Sequence, residues 1–358
     1  MRQRIQNRAH WNAEGHIPIA PFCRRQGKLG GRLPADNEAC DHQRYIVRMH
    51  RLISFAFLAV LGTWPVYAQD QTRGRSERVK DRGAHEILIA GRHWDLLGEG
   101  YHLTADSTVD KVGNVYFTDA RKNRILKIDL DGNINTWRED TNGAHGVAFG
   151  PDGRLYAGQH DRKRIVAFSS DGTESVITEG VQSHHLTVTS RNHIYFSVPP
   201  THKVWLVDAA GHKRVVHDGI NWPRGVRASP DESVLVVNDP PTRWVWSFQI
   251  QVDGSLINGR PFYRLETSGE KSETDAGGMV FDSEGFLYVA TNIGVQVCDQ
   301  QGRVTAVIDA PAESVSAVFF GGPGLQWLYV TDGNKVWRRP VKRRGAAPWN
   351  GKAQQPGL

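Results

Sequence analysis

Between residues 105 and 341 the chain repeats one pattern six times at a spacing near forty residues, and a period of that length restricts it to repeat architectures. Aligned on an apolar pair, the copies read Val115-Tyr116, Leu155-Tyr156, Ile194-Tyr195, Leu235-Val236, Leu287-Tyr288 and Leu328-Tyr329, with steps of 40, 39, 41, 52 and 41 residues. A turn precedes most pairs, as in Val112-Gly113-Asn114 and Pro151-Asp152-Gly153, where glycine supplies the positive φ that tight hairpins need. In GNVYFTD, Val115 and Phe117 point to one face and Tyr116 and Thr118 to the other, and a second strand follows in RILKIDLDG, RIVAFSSDG and KVWLVDAAG. Helical periodicity is essentially absent. These features predict an all-β, six-bladed β-propeller of four-stranded antiparallel blades over residues 83–342. The segment GAHEILIAGRHWDLLGEGY, residues 83–101, is expected to supply an outer strand that closes the ring against the last blade and removes its open edge. The single long step places an insertion at 251–274, expected as an extended loop over one face.

The overall charge of +6 would suggest a polyanionic partner only if it were spread over the folded part. Residues 1 to 68 hold ten Lys/Arg and four acids, which is all of the excess, so the rest of the chain is neutral and lacks the basic surface that nucleic acid requires. From Met49 the text MHRLISFAFLAVLGTWPVYAQD has the basic start, short apolar core and small-residue end of a secretory signal peptide, with cleavage expected near Ala68. Residues 1–48 read as a non-native or disordered leader, 49–68 as the signal peptide, 69–82 as a flexible linker and 343–358 as a flexible tail. The apolar run is too short for a membrane span, so the mature chain is expected to be secreted or periplasmic and to have no membrane span. After cleavage only Cys298 remains, so no intrachain disulfide can hold the fold. The cluster Arg338, Arg339, Lys342, Arg343, Arg344 reads as a solvated tail.

The run LGEGYHLTADSTVDKVGNVYFTDARKNRILKIDLDG, with GPDGRLYAGQH, NWPRGVRASPDESVLVV and FDSEGFLYVATNIGVQVCDQQGRV, resembles the gluconolactonase, regucalcin (senescence marker protein) and luciferin-regenerating-enzyme family from about Leu96 to Lys342. The resemblance implies a six-bladed propeller that hydrolyses sugar lactones with one divalent metal in its central channel. It also implies that the chemistry sits at the start of the innermost strands, 11 or 12 residues before the second residue of each apolar pair. Those positions read Ala105, His145, His184, Arg224, Gly277 and Ala317.

Here the chain departs from the family pattern. The Glu-Gly-Pro of the first blade is matched by Ala105-Asp106-Ser107, the Asn-Asp of the third by His184-His185, the Pro-Asn-Gly of the fourth by Pro223-Arg224-Gly225, and the Asp-Gly of the fifth by Gly277-Gly278. Calcium or magnesium needs several oxygen donors, which imidazoles and a guanidinium do not offer. The family's metal site therefore reads as lost, which leaves no cofactor to be expected from these positions while a divalent metal held by other residues stays open. A transition metal would need Asp275 or Asp106 to join the two imidazoles of His184 and His185. Without metal, His145, His184 and His185 supply general bases near neutral pH, Arg224 an oxyanion or carboxylate partner, and Asp275, two positions from Gly277, a carboxylate on the same strand face. Trp222, beside Pro223-Arg224, and Asp106 are candidate substrate contacts.

Asp119, Asp239 and Asp332 each end a central strand and read as turn-capping groups, Cys298 reads as a core residue, and most tryptophans read as blade packing. There is no G-x-S-x-G elbow and no phosphate loop. Two functions are consistent with these residues: hydrolysis of a sugar lactone or related ester at an atypical, metal-poor site, or non-catalytic binding of a carbohydrate, an anion or a protein.

Overall fold

Alternating apolar and polar residues, broken by glycine turns, produce 24 strands among the described residues, in six four-stranded antiparallel sheets. The computed structural model describes residues 83–269, 273–312 and 314–346. The expected leader, signal peptide and linker lie outside the described residues, as do residues 347–358. The inner strands of the six sheets are Thr104–Val109, Ala144–Phe149, Leu186–Val188, Val226–Ala228, Met279–Phe281 and Ala317–Gly321. Five blades are built from four consecutive strands. The sixth borrows its outermost strand, Asp95–Glu99, which pairs antiparallel with Lys335–Pro340, so the ring closes as the sequence predicted.

The core follows from this arrangement. Six buried apolar clusters form, each gathering residues of two neighbouring blades. One joins Val115, Phe117 and Leu126 of the first blade to Phe319, Tyr329 and Val336 of the sixth. Phe117, Tyr195 and Tyr288 have no appreciable exposure, and the hydrophobic gain of the fold is concentrated between sheets. Cys298 is buried and free, as expected.

Two sequence expectations are corrected. Much of the long insertion is not a loop: Leu256–Arg264 is a nine-residue strand that completes the fourth blade, and its turn docks on the third. The Tyr195 hydroxyl donates to the Gly254 carbonyl at 2.8 Å, and Arg214 donates to the Asp253 carbonyl at 2.6 Å. Nor is the C-terminal basic cluster a solvated tail. Arg338 and Arg339 belong to the last strand, and the Arg343 guanidinium lies 3.9 Å from the Phe286 ring centre while pairing with Asp282 and Glu284 at 3.2 and 3.0 Å. Burial of Asp282 explains the contact, because a carboxylate removed from water needs a cation.

The strand-end aspartates act as caps. Asp119 accepts from the backbone N–H groups of His102 and Leu103, Asp239 from those of Asn221 and Trp222, and Asp332 from those of Asn334 and Lys335.

Candidate active site

The antiparallel register fixes which residues meet at the start of the inner strands. Tyr116, Tyr156, Tyr195, Val236, Tyr288 and Tyr329 pair with Thr108, Ala148, Thr187, Arg227, Val280 and Phe319. Counting back three residues from each gives Ala105, His145, His184, Arg224, Gly277 and Ser316. In five blades this count falls on the residue read from the spacing, and in the sixth it falls on Ser316 instead of Ala317. Ala317 is buried in the apolar cluster between the sixth and first blades.

A set of hydrogen bonds between blades holds this ring. Thr118 Oγ1 donates to the His145 carbonyl at 2.9 Å, Ser197 Oγ to that of Arg224 at 2.5 Å, Asn238 Nδ2 to that of Gly277 at 2.7 Å, and Ser316 Oγ to that of Thr104 at 2.9 Å. In the second blade the place of Thr118 and Ser197 is taken by Gly158, which has no donor. The imidazole of His145 takes over, its Nδ1 lying 3.0 Å from the His184 carbonyl. A carbonyl only accepts, so Nδ1 carries the proton and Nε2 keeps its lone pair. A Cβ on Gly158 would lie 1.8 Å from Ser183 Oγ, a buried hydroxyl with no partner. We therefore expect Gly158→Ala to lower stability by about 1–3 kcal/mol in denaturant titrations and Ser183→Ala to restore most of it.

The three predicted histidines come together. Ring centres of His145 and His184 are 4.1 Å apart, those of His184 and His185 4.7 Å, and Nδ1 of His184 lies 2.7 Å from Nδ1 of His185. One of these two nitrogens must be bare, so the pair cannot both be imidazolium. Burial pushes all three pKa values down, that of His145 to about 4, and the Arg224 charge acts in the same direction on each. The site holds neutral imidazoles beside a fixed cation. Arg224 is itself largely buried, which lowers its pKa, and its Nη1 donates to the backbone carbonyl of Asp275 at 3.3 Å.

Of the two expected carboxylates, that of Asp275 acts on Arg224 through its charge and that of Asp106 is buried. Asp275 is exposed, at a positive φ of 49°, and meets Arg224 through its carbonyl. Asp106 is 2 % exposed, and its oxygens accept from the Ser107 and Val147 N–H groups at 2.8 and 3.2 Å. It is a buried structural group paired with Arg227 at 3.9 Å, in place of the substrate contact expected of it. Trp222 stands on the rim, 42 % exposed, with its ring 6.5 Å from that of His202.

The residues do not fit a hard divalent cation. Ala105 and Gly277 offer no donor, Arg224 is cationic, and among the described residues no group of three or more His, Cys, Asp or Glu side chains is arranged to hold an ion. Among the described residues no carboxylate is grouped with the histidines as a third ligand for a transition metal.

Sequence reasoning missed His160. Its ring centre is 6.3 Å from that of His145, and its Nδ1 accepts from Gln182 Nε2 at 3.2 Å, which places the proton of the neutral ring on Nε2. Its signal was positional: it follows directly on the second strand of its blade, Leu155–Gln159, which ends on the face where the inner strands begin.

Comparison with known proteins agrees with the fold. The chain is 25% identical over 228 residues to the pentonolactonase XacC of Haloferax volcanii, covering 61% of this chain and 76% of that protein. It is 24% identical over 237 residues to a gluconolactonase of Zymomonas mobilis, covering 57% of this chain and 64% of the relative. A solved gluconolactonase structure from Xanthomonas campestris superposes with a TM-score of 0.64 at 22% identity, over 73% of this chain and 94% of that one. Residues 97–334 match the SMP-30/gluconolactonase/LRE-like region, and the chain belongs to that family.

Proposed function

We propose that this propeller is an exported hydrolase that opens a sugar lactone or a related ester by a metal-independent route. The observation that carries the reading is the fixed tautomer of His145: with Nδ1–H held by the His184 carbonyl, Nε2 is the nitrogen free to take a proton, and the Arg224 cation stands close enough to act on the ring. The lactonase names of two distant relatives support the reaction class. Export rests on the signal-like segment from Met49.

In this mechanism His145 Nε2 accepts a proton from water as the water oxygen attacks the lactone carbonyl. The carbonyl oxygen becomes an oxyanion, which the Arg224 guanidinium stabilises. Collapse of the tetrahedral intermediate re-forms the carbonyl and breaks the ring C–O bond. The imidazolium then returns its proton to the departing alkoxide, giving the hydroxy acid. An imidazole titrating near pH 4 is a weak base but, once protonated, a strong acid, so burial favours the second half of the reaction.

Hydrolysis of gluconolactone and pentonolactones with and without chelator tests the proposal. Turnover is expected to persist in chelator and to fall about 10²–10³-fold in Arg224→Leu. Turnover abolished by chelator, or unchanged in Arg224→Leu, would sink it. The weak basicity of His145 favours a second reading, a propeller that binds sugar acids without reacting, and saturable gluconate binding with no turnover of any lactone would select it.

A further inference from the structure

The geometry points to a second binding site at the opposite mouth of the channel, a pocket for a small carboxylate with an apolar body, closed at its inner end by Arg227. This inference does not depend on the reaction assigned to the histidines. Where the inner strands end rather than begin, a cavity of about 140 Å³ is lined by residues from all six blades and reaches solvent beside exposed Pro230. That volume has room for about five waters, or for a ring the size of benzene. Strand rise places it about 13 Å from the histidines, the distance from His145 to Phe149 along one strand.

Arg227 gives the pocket its charge. It lies deep in the channel wall, Nε donates to the Met279 carbonyl at 2.8 Å, and the paired acidic oxygen, Asp106 Oδ1, is 3.9 Å from Nη2, beyond hydrogen-bonding distance. Its outer N–H groups have no acceptor among the described residues. The partner is also a poor counterion, because burial pushes the Asp106 carboxyl up to about 7 and its oxygens are already engaged by backbone N–H groups. A buried guanidinium so placed recognises a planar carboxylate in a two-pronged geometry.

The rest of the lining selects the body of the ligand. Phe149, Val280, Phe281 and Phe319 present apolar surface, and the Thr187 hydroxyl makes no hydrogen bond within the described protein. Glu232 contributes the one acidic side chain of the lining, but both its oxygens are held by Ser190, by the backbone N–H at 2.6 Å and the hydroxyl at 2.5 Å.

Calorimetric titration of the full chain with benzoate, benzyl alcohol and inorganic phosphate tests the site. Benzoate is expected to bind saturably at one site, with benzyl alcohol and phosphate each at least about tenfold weaker. Arg227→Gln is expected to weaken benzoate by at least about tenfold, and so is Val280→Phe, which fills the pocket without touching the charge and serves alone if the arginine variant fails to fold. His184→Ala, at the other end of the channel, should leave benzoate binding unchanged. Absence of saturable benzoate binding, equal binding of phosphate, survival of binding in Val280→Phe, or its loss in His184→Ala would each overturn the assignment.

Discussion

Asparagine at position 145 is expected to leave the propeller folded and to lower kcat for lactone hydrolysis by about 10²–10⁴-fold with little change in KM. The substitution is chosen because an asparagine amide can still donate to the His184 carbonyl, the contact that Nδ1 makes at 3.0 Å, while removing Nε2 altogether. Structure and proton transfer are thereby separated. His145→Ala confounds them, since it also strips the His184 carbonyl of its donor. Steady-state kinetics with denaturant titration of the same sample decide the matter: a stable His145→Asn protein with wild-type turnover would move the base elsewhere, with His160 as the next residue to test.

Acid is expected to unfold this protein unusually steeply. The folded-state pKa values of His145, His184 and His185 are depressed below 6.5, whereas in the unfolded chain all three titrate near that value. As pH falls through 6.5 the unfolded chain takes up protons that the folded one refuses, so this stability is fully present above about pH 7 and is lost on the way down towards about 4. Asp106 works the other way: raised to about 7, its carboxyl is protonated in the folded state while still ionised in the unfolded one. One group opposes three. The net slope is roughly two protons, or on the order of 2–3 kcal/mol per pH unit at its steepest. Urea midpoints at pH 7, 6 and 5 measure it directly, and a flat series would show that the three imidazoles gain protons without unfolding.

The blades were legible because each repeat carries its own punctuation, an apolar pair behind a glycine turn, and that pattern is local. Counting back from those pairs falls on the same residue as the strand register in five blades. It differs in the sixth for a geometric reason: Tyr329 pairs with Phe319, ten residues back, where Tyr116 pairs with Thr108, eight residues back, so the last hairpin holds two extra residues around Gly322-Pro323-Gly324. The meeting of His145 with His184 and His185 followed from the period alone. The tautomer of His145 did not, since it depends on Gly158 leaving the His184 carbonyl for His145 to satisfy. The pairing of Asp106 with Arg227 was equally hidden, because the two come together only across the closed channel. The insertion misled because length alone does not distinguish a loop from a lengthened outer strand.

The borrowed strand Asp95–Glu99 has a consequence for how the molecule is made. Among the described residues it is the first strand to leave the ribosome, yet its sheet is the last to be completed, so Asp95–Glu99 must wait, unpaired, until the strands from Ala317 to Pro340 have been made. Trimming either extremity of the propeller therefore damages the same sheet.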